Sequence, residues 1–108
     1  VLIDEVPHYS CSILTQSVRG RAVRTIEGLA HEDGSLHPIQ QAVVDEQGFQ
    51  CAFCMTGFVM SAVGFLQKNE NPTRSELAHG LSGNLCRCAD YDKILTTMER
   101  AAENMRQA

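Results

Sequence analysis

The stretch "GNLCRC", Gly83–Cys88, sets two cysteines one residue apart, around an arginine and behind a glycine and an asparagine. Residues two apart on a helix point in different directions, so Cys86 and Cys88 cannot share a helix face. Both thiols converge only from an irregular turn, which Gly83 and Asn84 supply. A second close pair lies upstream in "QCAFC", where Cys51 and Cys54 are separated by two residues. The fifth cysteine, Cys11, stands alone.

Two close pairs far apart in sequence read as a site with four thiolates. A disulfide framework is the weaker reading, because the count is odd and no basic-then-apolar start marks a secreted chain. Cys86 and Cys88 would also be strained disulfide partners. A tetrahedral zinc fits four thiolates. A [2Fe-2S] cluster fits as well, with each pair holding one iron. Spacing alone leaves both open.

Helices flank the two pairs. "SLHPIQQAVVDEQ" places Pro38 at a first helical position, followed by Ile39, Ala42 and Val43 at helical period. "TGFVMSAVGFLQKN" is apolar almost all round and predicts the buried helix, with Thr56 able to cap it. Gly64 inside it is a cost unless another backbone packs close. "NPTRSELAHGLSG" carries a capping box, Thr73 to Glu76, and is expected to stop near Gly80 or Gly83. "DYDKILTTMERAAENMRQ" has an apolar stripe of Ile94, Leu95, Met98, Ala101, Ala102 and Met105, with Asp90 as its expected cap. The methionines and phenylalanines are read as core packing. Helix, cysteine pair, helix thus occurs twice.

The first third differs. "VLID" and "VPHYSC" predict two short strands around a turn at Asp4 and Glu5, and "RAVRTIEG" predicts a third. Three such strands cannot close a sheet and look like the remnant of something larger. At 108 residues the chain is one domain or less. Its formal charge of −4, with scattered basic residues, argues against nucleic acid. No apolar run approaches the roughly 20 residues of a membrane span. The four histidines, His8, His31, His37 and His79, share no ligand spacing and are assigned solvent or capping roles.

"QCAFCMTGF", "NPTRSEL" and "GNLCRCADYDKI", preceded by "TIEGLA" and "LHPIQQA", resemble in order the second [2Fe-2S] domain of the xanthine oxidase family of molybdenum hydroxylases. The resemblance covers nearly the whole chain. It implies a mainly α fold, a four-helix bundle with two-fold pseudosymmetry around a [2Fe-2S] site. A short β remnant of a plant-type ferredoxin-like domain would precede it, with residues 1–30 and 31–108 as the two parts.

The resemblance further implies that Cys51, Cys54, Cys86 and Cys88 are the cluster ligands, and that Gln50 and Cys88 approach a pterin. Molybdopterin would be carried by a large partner subunit, or by a missing portion of the same polypeptide. FAD would be carried by a medium subunit. The chain itself would pass electrons and make no bonds, in a cytoplasmic complex. Cys11 matches the last cysteine of the family's first cluster; the other three would precede Val1, which makes Cys11 an orphan, expected to be a small buried residue.

The sequence also departs from the family pattern. Ala52 stands for a usual glycine, Met55 and Thr56 for Thr-Pro, and Ala89 and Asp90 for Thr-Gly. Asp90 is expected to take any left-handed backbone this requires. Arg87 must point away from its flanking cysteines, toward the cluster's charge, a partner or solvent. Two other classes remain: a zinc-stabilised interaction module, and an independent ferredoxin-like carrier.

Overall fold

The computed structural model describes residues 1–108. It is mainly helical, with four α-helices following a small three-stranded sheet. The helices are α1 (Pro38–Glu46), α2 (Met55–Lys68), α3 (Arg74–Gly80) and α4 (Tyr91–Gln107). The strands are β1 (Leu2–Ile3), β2 (Val6–Pro7) and β3 (Val23–Arg24), all antiparallel in the order β2-β1-β3.

The strands are shorter than the sequence predicts. Asp4 and Glu5 both take left-handed backbone, at φ 49° and 67°, and turn β1 tightly into β2. After Pro7 the chain leaves the sheet and makes a 3-10 turn at Ser10–Ser12. Likewise "RAVRTIEG" pairs only at Val23 and Arg24, and then coils into a 3-10 turn at Ile26–Gly28.

Helix starts follow local chemistry where a cap was legible. Pro38 opens α1, and the Nδ1 of His37 accepts the Ile39 amide at 3.2 Å while Gln40 reaches back to the His37 amide. Thr73 and Glu76 form the reciprocal capping box of α3, which ends at Gly80 as expected. Two expected caps fail. Asp90 sits at the N-cap of α4 but at φ −90° and ψ 34°, and its side chain makes no capping bond. Thr56 lies inside α2, whose N-cap is Cys54. The cysteine turns, rather than a capping side chain, deliver the chain into both of these helices.

α2 supplies the centre of the core, burying Phe58, Val59, Met60, Ala62, Val63 and Leu66. α1 packs most extensively on α4, whose Ile94, Met98, Ala101 and Ala102 are buried. Gly48 follows the left-handed Gln47 that ends α1, and any side chain there would overlap Thr97 of α4. Gly64 has a similar reason: the ring of Pro7 lies against it, so the sheet rests directly on α2. Leu2 is fully buried in the same core as the helices. No helix is long and apolar enough to cross a membrane.

Candidate metal centre

Both cysteine pairs lie on turns between helices. Cys51 and Cys54 are on the turn from α1 to α2, and Cys86 and Cys88 on the turn from α3 to α4. Each turn carries an alanine in left-handed backbone, Ala52 at φ 66° and Ala89 at φ 58°. The left-handed residue of the second turn is therefore Ala89 and not Asp90. Bends of this kind let near neighbours in sequence aim their side chains inward together, which a helix forbids.

Several contacts hold the second turn. Asn84 donates through Nδ2 to the Leu81 carbonyl at 3.2 Å and to Ser61 Oγ of α2 at 3.0 Å. Tyr9 donates its hydroxyl to the Gly83 carbonyl at 2.7 Å, across 74 residues of sequence. The Cys86 amide donates to the hydroxyl of Tyr91 at 2.8 Å. Arg74 of α3 reaches Asp92 at 2.6 Å and Glu99 at 3.2 Å, which sets the start of α4 beside the turn.

The thiols meet across the two turns. Cys88 Sγ lies 3.5 Å from Cys51 Sγ. Cys54 and Cys86 lie close enough that each changes the other's ionisation. Spatial pairs are therefore Cys51 with Cys88 and Cys54 with Cys86, not the neighbours in sequence. All five cysteines are free thiols. Two sulfurs bound to one tetrahedral metal at about 2.3 Å stand about 3.8 Å apart, so the Cys51–Cys88 separation suits a shared metal and is far too long for a disulfide.

The four thiols, paired across the turns and close enough to influence one another, suit a dinuclear centre with one iron per pair or a single tetrahedral ion.

Electrostatics at the site favour thiolates unevenly. The Phe53 amide, with the Cys88 thiol, holds Cys51 below the ordinary thiol range. The Asp90 amide leads a set of backbone donors, with those of Cys88 and Ala89, that lowers Cys86. Burial, then the contact with Cys86, pushes Cys54 up to about 11. Each spatial pair thus joins a thiol whose pKa is lowered to one whose pKa is raised. Amides aimed at sulfur are also what stabilises metal-bound thiolate.

Of the other residues singled out by sequence, Gln50 is exposed beside Cys51, and Arg87 is exposed and enters no ion pair. Cys11 is exposed, which corrects the expectation of burial; its sulfur lies 3.8 Å from Ser12 Oγ. His37 caps α1, and the histidines take no part in the thiol site. Tyr91 was not singled out by sequence reasoning, although its place three residues after Cys88 was open to view.

Residues 25–99, which include both thiol pairs, match the family described as the [2Fe-2S] binding domain. The chain belongs to that family. Over 107 residues this [2Fe-2S] domain is 41% identical to one of the subunits of nicotinate dehydrogenase from Pseudomonas putida, covering 99% of the chain and 68% of that protein. Its fold matches quinoline 2-oxidoreductase from Pseudomonas putida 86 with a TM-score of 0.88 at 34% identity, over 99% of this chain and 67% of that one. It matches aldehyde oxidoreductase from Desulfovibrio gigas with a TM-score of 0.88 at 32% identity, over 97% of this chain but 12% of that one. The membership agrees with the motif string in "QCAFC" and "GNLCRC", and selects iron and sulfide over zinc.

Proposed function

We propose that this [2Fe-2S] domain is the electron-transfer part of a molybdenum hydroxylase, with Cys51, Cys54, Cys86 and Cys88 as ligands to one cluster. The observation that carries this is the cross-turn pairing of the thiols, with Cys88 3.5 Å from Cys51. When bound, the cluster supplies one-electron transfer from a molybdopterin centre, held by a large partner subunit, toward a second cluster and FAD beyond it.

The chain's own residues bind and position. The amides of Phe53, Asp90 and Ala89 stabilise thiolate at Cys51 and Cys86. Gln50, exposed here, offers both an amide donor and a carbonyl acceptor to the mixed polar edge of a pterin. Substrate chemistry belongs to the partner, and the complex is assigned to the cytoplasm. Residues 1–30 are assigned to a ferredoxin-like part and 31–108 to the helical part. A two-fold relation between the halves is supported by the left-handed alanine that each cysteine turn carries.

Anaerobic purification, followed by metal and sulfide analysis, absorption and EPR after reduction, tests the reading. Two irons and two labile sulfides per chain are expected. Stoichiometric zinc without labile sulfide would overturn it. For Gln50→Ala, an unchanged cluster spectrum is expected, with slower reduction by substrate in the assembled complex.

A further inference from the structure

Cys51 and Cys88 bring two sulfurs within 3.5 Å of each other from different turns, across 37 residues of sequence. Side-chain hydrogen bonds hold the second of those turns in place: Asn84 on Leu81 and Ser61, Tyr9 on Gly83, and Tyr91 on the Cys86 amide. A disulfide has its sulfurs about 2.05 Å apart, so Cys51 and Cys88 are about 1.5 Å short of one.

The same two sulfurs are open to reagents. Cys51 is exposed and Cys88 half-buried, whereas Cys86 is 8% exposed and packed in the core. Thiol–disulfide exchange depends on access as well as proximity, and this pair has both. Neighbours in sequence are poorer partners. Cys86 and Cys88 flank a single residue, and a bond between them is strained. Cys51 and Cys54 are separated by Ala52 in left-handed backbone, and Cys51 is set against Cys88 instead.

We propose that the chain carries a redox latch: when no metal is bound, Cys51 and Cys88 close into a cross-turn disulfide that blocks loading of the site until it is reduced. The oxidant is a low-molecular-weight disulfide. Cys51, as thiolate, attacks one of its sulfurs, which leaves a mixed disulfide on the chain and releases one small thiol. Cys88 then attacks the Cys51 sulfur and expels the second small thiol. Two S–H bonds of the chain are broken and one S–S bond is formed, and the two protons and two electrons pass to the small disulfide. Metals bind thiolate, so the closed latch withdraws two of the four ligands. It also keeps Cys51 from climbing to sulfinic and sulfonic acid, which no thiol reverses. The latch lies beyond the proposed function and acts alike on iron and on zinc.

The test starts from the full chain, reduced and freed of metal by a chelator under anaerobic conditions. It is exposed to oxidised glutathione, and remaining thiols are trapped in denaturant with iodoacetamide. Trypsin cuts after Arg87 and parts Cys86 from Cys88, while chymotrypsin cuts after Phe53 and parts Cys51 from Cys54. Mass spectrometry of the peptides then identifies the bonded pair. One intramolecular bond between Cys51 and Cys88 is expected, with Cys54 and Cys86 recovered alkylated. The oxidised chain, offered zinc ions without reductant, should lose the tight zinc binding of the reduced chain and regain it after dithiothreitol.

A main product joining Cys51 to Cys54, Cys86 to Cys88 or Cys54 to Cys86 overturns the proposal, as does glutathione left bound at Cys51. Unfolding of the metal-free chain counts against it in the same way, because freed turns favour neighbours in sequence; circular dichroism on the same sample identifies that cause. Equal zinc binding before and after oxidation also overturns it, since the bond would then block nothing. Failure of the proposed function is seen separately: a reduced chain that forms no cluster when given iron and sulfide leaves the map of disulfides as it stands.

Discussion

The hydroxyl of Tyr91 accepts the backbone amide of Cys86 at 2.8 Å, and its ring meets Phe58 of α2 edge-on, with centroids 6.4 Å apart at 67°. One side chain at the start of α4 thus ties the turn of Cys86 and Cys88 to the central helix. Tyr91→Phe keeps the ring contact but leaves a partly buried amide without its partner. An unmade bond of this kind costs about 1–2 kcal/mol. Chemical denaturation should show that loss with iron content retained; undiminished stability would mean that the hydroxyl is dispensable.

Cys86→Ser removes the most buried of the thiols, 8% exposed and packed in the core. Metal binding that joins two turns contributes to folding free energy directly. The variant is expected to lose the cluster and to melt at lower temperature, with reduced helicity by circular dichroism. Parental Tm and helicity would show that the turns hold each other without metal.

Burial, helped by the positive charges of Arg24 and His31, holds His37 below its ordinary 6.5. Its neutral Nδ1 accepts the Ile39 amide, which a protonated ring cannot do. The folded value is depressed, so the unfolded chain binds the proton more readily. Stability from the cap is present above the unfolded value and declines as pH falls through the lower folded one. NMR titration of the imidazole should give a depressed value, and His37→Asn should keep the cap while flattening stability against pH.

Gly64→Ala tests the seat of the sheet on α2. Alanine is the better helix former by roughly 0.5–1 kcal/mol. The added methyl, however, would overlap the rigid ring of Pro7. Overpacking of this kind costs about 1–3 kcal/mol, so net destabilisation is expected by denaturant melt. Gly28→Ala is the control, because its methyl would lie 3.8 Å from Arg24 Cγ, an ordinary contact.

What the sequence disclosed was local chemistry. Pro38 and the Thr73–Glu76 box announce helix starts because a fixed φ and a reciprocal hydrogen bond act within four residues. The cysteine pairs announce a site because thiols so spaced have few other uses. Asp90 and Thr56 misled for one reason: the backbone enters α4 and α2 from left-handed alanines, and a capping side chain needs an extended approach. The pairing of Cys51 with Cys88 was hidden because it is a property of two turns meeting. The role of Tyr91 was hidden likewise, since a tyrosine before an apolar stripe reads as packing.

The crossed pairing also bears on the order of events as the chain is made. Cys51 and Cys54 leave the ribosome first, yet neither has its spatial partner until residues 86–88 follow, 37 positions separating Cys51 from Cys88. A lone CxxC hairpin therefore offers an incoming iron one sulfur of each future pair and completes neither. On the proposed ligand set, neither pair is complete until the second turn has been drawn against the first. A chain ending before Cys86 would carry Cys51 and Cys54 with neither spatial partner.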